Sequence, residues 1–118
     1  MIPQILFVYG SLKRHFHNHH YLESSLYLGT GYTKNKYAMY SQGIPFVLKG
    51  DPVSYIHGEL YDIDAVTLKQ LDRLEGHPDW YCREQVEIIS ATNQTITAWL
   101  YFNPVPNGKL IRSGIFEY

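Results

Sequence analysis

Apolar positions along this chain fall mostly into short runs broken by glycine and proline, and only once take up helical spacing. Ile5 to Tyr9 is such a run, and it stops at Gly10-Ser11, which predicts a buried strand meeting a tight turn. Strand character extends back to Met1. Lys13 to His20 is polar and rich in histidine, and Asn18 is placed to cap a short helix from His19 to about Ser24. From Leu26 to Tyr40 aromatic and threonine positions dominate, interrupted by Gly29 and Gly31. That pattern fits one bent or bulged strand, or two short ones. Gln42-Gly43-Ile44-Pro45 predicts a turn, Phe46 to Leu48 a brief strand, and Gly50-Asp51-Pro52 a second turn. His57 to Asp62 alternates as a strand does.

The helical segment begins at Asp64, a good N-cap, and ends before Gly76, a good residue to follow a helix. Leu68, Leu71 and Leu74 recur every third position within it, and Glu75 follows along the edge of that apolar stripe. After the loop Gly76-His77-Pro78-Asp79, a strand from about Tyr81 to Ile89 turns at Thr92-Asn93-Gln94 and returns as Thr95 to Phe102, a hairpin. Pro104 and Pro106 end it, and the tail from Leu110 to Tyr118 has no clear period. Many strands, one helix and one core predict a small α+β domain over residues 1–118, its sheet curled toward a barrel. The order of the strands does not follow from the pattern.

Composition narrows the function classes. Hydrophobic residues make up 45% of the 118 positions and charged residues 18%, enough for a real core. Ten Lys and Arg stand against eleven Asp and Glu, so nothing points to nucleic acid or an anionic membrane as partner. No apolar stretch is long enough to span a bilayer, and the N-terminal segment lacks the basic start and cleavage site of a signal peptide. Cys82 is the only cysteine, which excludes an internal disulfide and a cysteine zinc site, and fits a reducing cytoplasm. It falls on the strand face opposite Tyr81, as a core position would. Eleven tyrosines suit a β-rich chain, and equally a barrel with a polar pocket.

Four places can carry chemistry. Glu75 sits in the last turn of the helix, at the negative end of the macrodipole and beside leucines. Both effects disfavour ionisation and would move a carboxyl toward the range of a general base. Alternatively the helix frays at Gly76 and Glu75 points to water. Tyr9-Gly10-Ser11-Leu12 can form a nest of backbone N–H groups for a carboxylate or oxyanion, or an ordinary β-turn. His15, His17, His19 and His20 are chemically able to bind a metal, although no carboxylate is near until Glu23. Tyr81 and Arg83 share a strand face, and Arg83 can pair with a substrate carboxylate, pair with Glu75, or lie along the edge of the sheet. No phosphate loop, dinucleotide fingerprint, nucleophile elbow or HExxH motif is present.

These residues also carry a likeness. Phe7-Val-Tyr-Gly-Ser-Leu-Lys-Arg14 with Asn18-His19, His57-Gly-Glu-Leu-Tyr-Asp62, and Leu71-Asp-Arg-Leu-Glu-Gly76 with Pro78, Tyr81 and Arg83 resemble the gamma-glutamylcyclotransferase-like (AIG2-like) family. The similarity runs on through Trp99-Leu-Tyr101, and the chain is most similar to the gamma-glutamylamine cyclotransferase branch. The resemblance implies a mixed, barrel-like sheet with a cavity at its mouth and the YGSL loop facing a glutamate. It implies Glu75 as catalytic base and Tyr9, Gly10, Ser11 and Leu12 as substrate-binding residues, with Tyr81, Arg83 and Tyr101 as further candidates. The implied reaction is intramolecular: the α-amine of a γ-glutamyl group attacks its own side-chain carbonyl, releasing 5-oxoproline and an amine or amino acid. It needs no cofactor and no metal, and its partner is a small γ-glutamyl molecule. A binding protein that keeps the fold without turnover is the alternative. His15 departs from the pattern, standing where the similar branch has glycine.

Overall fold

Strand alternation sorts this chain into two apolar layers, and the site lies where they meet. The computed structural model describes residues 4–105 and 108–117. Met1–Pro3, the stop at Pro106 and the final Tyr118 lie outside them. Five strands close into a barrel in the order β1-β5-β2-β6-β7. They are β1 (Gln4–Val8), β2 (Leu26–Thr33), β5 (His57–Ile63), β6 (Cys82–Ser90) and β7 (Thr95–Phe102). Neighbours pair antiparallel, except that β1 and β7 close the barrel in parallel at Leu6 and Trp99. The sheet is therefore mixed. A second, three-stranded sheet runs β4-β3-β8, from β3 (Ala38–Ser41), β4 (Pro45–Leu48) and β8 (Lys109–Leu110).

Successive side chains on a strand point to opposite faces. On β1, Phe7 enters the barrel interior while Leu6 and Val8 face outward; on β7, Leu100 and Phe102 go in while Tyr101 faces out. The outward set would be exposed without a cover. The helix α1 (Ala65–Glu75) supplies it, laying Leu68 and Leu71 on Leu6, Val8, Tyr61 and Ile63. Asp64 caps its start, with Oδ1 accepting the Thr67 N–H at 2.7 Å, a contact worth about 1 kcal/mol. At its end Gly76 adopts φ 68°, and the N–H groups of Gly76 and His77 return to the carbonyls of Arg73 and Asp72. That closure keeps Glu75 in a formed last turn. No helix among the described residues is long and apolar enough to cross a membrane.

Several expectations are settled in detail. The stretch from Leu26 to Tyr40 is two strands in different sheets, the first bulged between Tyr27 and Gly29. The expected helix after Asn18 is a single 3₁₀ turn, His19–Leu22, and Asn18 does not cap it with its side chain. The amide goes instead to Ser11. Cys82 is half-buried at the first position of β6 and belongs to neither apolar layer. The tail contains the two-residue strand β8, too short to show a period.

Candidate active site

At the C-terminal end of β1 the outward layer opens into a cavity of about 240 Å³. Its walls are the segment Phe7–Leu12, Leu74 and Glu75 from the end of α1, Trp80 and Tyr81, and Tyr101 from β7. Asn18, Ile44 and Pro45 complete them. Of the candidates read from the sequence, Glu75, Tyr9, Gly10, Ser11, Leu12, Tyr81 and Tyr101 come together here.

Glu75 is set apart by what it lacks. Its carboxylate makes no hydrogen bond or ion pair with any described residue. Burial, the dominant cause, pushes its pKa up from an ordinary 4.5 to about 7. The negative end of α1 acts in the same direction.

Opposite it, the loop after β1 is a β-turn closed by the Lys13 N–H on the Gly10 carbonyl at 3.0 Å. Turn and nest are compatible. The backbone N–H groups of Gly10, Ser11 and Leu12 donate to no described residue, and all three residues line the cavity. Asn18 holds this loop from behind: its N–H donates to the Ser11 carbonyl at 3.0 Å and its Nδ2 to Ser11 Oγ at 2.9 Å. Gly10 is needed for closeness, since a Cβ there would stand 2.6 Å from Cγ of Pro45.

The tyrosines form wall, with their hydroxyls already committed. Tyr9 donates to the Tyr101 carbonyl at 2.6 Å, Tyr81 to the Pro45 carbonyl at 2.7 Å, and Tyr101 to Asp72 Oδ1 at 2.8 Å. Burial raises the pKa of all three phenols, so they stay protonated donors. Tyr81 is further fixed by stacking on Phe46, with centroids 5.8 Å apart.

Arg83 is not on the cavity wall and does not pair with Glu75. Its guanidinium takes Asp72, Nε to Oδ1 at 2.8 Å and the second nitrogen to Oδ2 at 3.2 Å, and lies 4.2 Å from the Trp99 ring. Burial alone would raise the Asp72 carboxyl, but the Arg83 and Tyr101 hydrogen bonds outweigh it and hold the pKa below its ordinary value. Asp72 thus joins Arg83 to Tyr101.

The histidines disperse. The His19 ring donates to the Leu12 carbonyl at 3.0 Å and the His20 ring to the His17 carbonyl at 3.1 Å. His15 adopts φ 73°, the left-handed conformation that glycine takes without a steric cost. No group of three or more His, Cys, Asp and Glu among the described residues is arranged to hold a metal ion. A second hollow, of about 320 Å³, lies beside Lys13 and Glu59. Its charges are engaged too: Lys13 donates to the Phe116 carbonyl, and Glu59 accepts from the Arg14 N–H and the Tyr61 hydroxyl.

Asn18, Ile44, Pro45 and Trp80 were not expected on the wall. Asn18 carried a signal, lying beside the YGSL motif, but one that read equally as a cap. The other three come from two separate segments, Ile44-Pro45 at the start of β4 and Trp80 after α1, which only the folded chain brings together.

Comparison with known proteins places this architecture. A provisionally named gamma-glutamylcyclotransferase of Methanocaldococcus jannaschii is 49% identical over 115 residues, 97% of this chain and 96% of that protein. One of Drosophila melanogaster, also provisionally named, is 41% identical over 96% of this chain and 78% of its own length. The crystal structure of an AIG2-like protein from Mus musculus superimposes with a TM-score of 0.81 at 25% identity, covering 87% of this chain and 78% of that one. The family described as "Gamma-glutamyl cyclotransferase, AIG2-like" matches residues 6–117. By that span and those relatives, the chain belongs to the gamma-glutamyl cyclotransferase, AIG2-like family.

Proposed function

We propose that this protein is a cyclotransferase that closes a γ-glutamyl amide on itself, releasing 5-oxoproline and an amine or amino acid, with Glu75 as the proton carrier. The observation that carries the reading is one carboxylate, half-buried and without a partner, on the same cavity as three unused backbone N–H groups. In this reading the N–H groups of Gly10, Ser11 and Leu12 hold the substrate α-carboxylate, which turns the α-ammonium toward Glu75. Tyr9, Tyr81 and Tyr101 shape the wall. Arg83 acts at one remove, fixing Tyr101 through Asp72.

The chemistry balances without a co-reactant. Glu75 takes a proton from the α-ammonium, and the freed amine attacks the γ-carbonyl carbon, forming the ring C–N bond. The bond from that carbon to the leaving nitrogen then breaks. Two protons leave the attacking nitrogen in all, and two arrive on the leaving one, which departs as an ammonium. A carboxyl with a pKa near neutrality can both accept and return them. Because the ring closure is unimolecular, the protein need only hold a near-attack geometry. The lone half-buried Cys82 and the near-neutral charge fit work in the cytoplasm on a small molecule, with no nucleic acid or membrane partner.

The test is 5-oxoproline release from γ-glutamyl-ε-lysine and a panel of γ-glutamyl amino acids and amides, with the intact protein and with Glu75→Gln. Release should fall about 10²- to 10⁴-fold in the variant, the range of a lost general base. A folded Glu75→Gln protein that keeps its rate would remove Glu75 from the mechanism.

A further inference from the structure

Asn18 and His19 take no part in the proposed reaction, yet both bond to the loop that forms the anion cradle. What they hold is mainly its carbonyls. A trans peptide carries its oxygen and its hydrogen on opposite sides, so a group that fixes a carbonyl also aims the N–H that follows it. The Ser11 carbonyl accepts the Asn18 N–H at 3.0 Å, which fixes the direction of the Leu12 N–H. The Gly10 carbonyl accepts the Lys13 N–H, also at 3.0 Å, which fixes the Ser11 N–H in the same way.

That Lys13 N–H belongs to the peptide whose oxygen, the Leu12 carbonyl, lies 3.0 Å from Nδ1 of His19. A carbonyl can only accept, so Nδ1 carries a proton. His19 therefore stands at the head of a chain. Its Nδ1–H meets the Leu12 carbonyl, the Lys13 N–H meets the Gly10 carbonyl, and the Ser11 N–H is left for a ligand in the cavity. Peptides linked in this manner polarise one another, each bond strengthening the next.

Asn18 also governs a side-chain donor. Its Nδ2 donates to Ser11 Oγ at 2.9 Å, so the hydroxyl proton must point elsewhere. No described residue accepts it, and Ser11 lines the cavity. The other use of Asn18 is forgone, since its side chain makes no cap bond to the 3₁₀ turn that follows.

Resting on the cyclotransferase reading for the identity of the carboxylate, we infer that Asn18 and His19 are positioning residues that set the affinity of the cradle for it. His19 aims and strengthens the Ser11 N–H. Asn18 aims the Leu12 N–H with its backbone and the Ser11 hydroxyl with its amide.

The experiment measures dissociation constants of 5-oxoproline and of its amide, which lacks the charge. The proteins are the natural chain, His19→Leu, His19→Asn and Asn18→Leu. Asparagine puts an N–H close to where Nδ1 stands, and leucine puts none. The natural protein should bind the acid about tenfold more tightly than the amide. That preference should be lost in His19→Leu, reduced in Asn18→Leu and kept in His19→Asn. In turnover of γ-glutamyl-ε-lysine, His19→Leu should raise KM about tenfold and leave kcat within about twofold. A loop merely loosened by leucine would weaken acid and amide alike. That result, no preference for the acid in the natural protein, or a preference that His19→Leu leaves unmoved or His19→Asn also loses, overturns this inference. The cyclotransferase reading then still stands on its own turnover test. The expected binding pattern in a protein that releases no 5-oxoproline from any γ-glutamyl compound overturns the cyclotransferase reading alone.

Discussion

Glu75 keeps its proton to a higher pH than an exposed glutamate because ionising it strands a charge among leucines and tyrosine rings, and that has a price in stability. The unfolded chain binds this proton with a pKa near 4.5, the folded chain with one of about 7. Below pH 4.5 both states hold the proton and the contribution of the site is fully present. Between the two values the folded state binds more protons than the unfolded one, so stability falls as pH rises, and above 7 the loss is complete. Water at the cavity mouth limits the loss to about 2 kcal/mol. Glu75→Gln should therefore gain about 2 kcal/mol on the natural protein between pH 4.5 and pH 8, measured by urea unfolding at each pH. A gain equal at both would mean that the carboxyl is not desolvated. His15 offers a second test. Its φ of 73° costs a residue with a Cβ about 1 kcal/mol, so His15→Gly should raise the urea midpoint by a corresponding amount. Glu75 was legible in the sequence because helix period and a terminal glycine place it without tertiary information. Asn18 was not: one side chain beside a turn can cap forward or clamp backward, and only Ser11, brought round by the loop, decides it.

Between elements, the ion pair of Asp72 on α1 with Arg83 on β6 ties the helix to the sheet and reaches the cavity through Tyr101 on β7. Asp72→Ala would leave a half-buried guanidinium unpaired and the Tyr101 hydroxyl without its acceptor. We expect it to lower stability by about 2 kcal/mol and kcat/KM about tenfold, with the acid limb of the pH–rate profile still set by Glu75. A shift of that limb would instead make Asp72 part of the proton path. At this scale the sequence was readable wherever an element announced its own ends. Asp64 and Gly76 bound α1, and Thr92-Asn93-Gln94 marks the β6–β7 hairpin. It was silent on β8, whose two residues have no period, and on which strands adjoin, because the parallel seam of β1 with β7 leaves no mark in either strand alone. Ile44, Pro45 and Trp80 were invisible as site residues for the same reason.

The two apolar layers share their strands, since neighbouring residues of β1, β5 and β7 serve opposite faces. Neither layer can loosen without moving the other, so the described barrel and helix should unfold as one cooperative unit. Leu100→Ala, at a position with 0% exposure inside the barrel, should cost about 2–5 kcal/mol. Tryptophan fluorescence and far-ultraviolet circular dichroism should still report coincident transitions. Separate transitions would mean that the layer under α1 holds without the barrel interior. The Tyr9–Tyr101 bond joins positions 92 apart, across the seam where β1 meets β7. On the ribosome the glycine-serine loop emerges first and the helix that carries Glu75 next, yet the strand that completes the wall is made only after both. The nascent chain thus carries Glu75 and the Gly10–Leu12 loop for seconds before it owns the strand that closes the cavity around them, and the chamber exists only once β7 arrives.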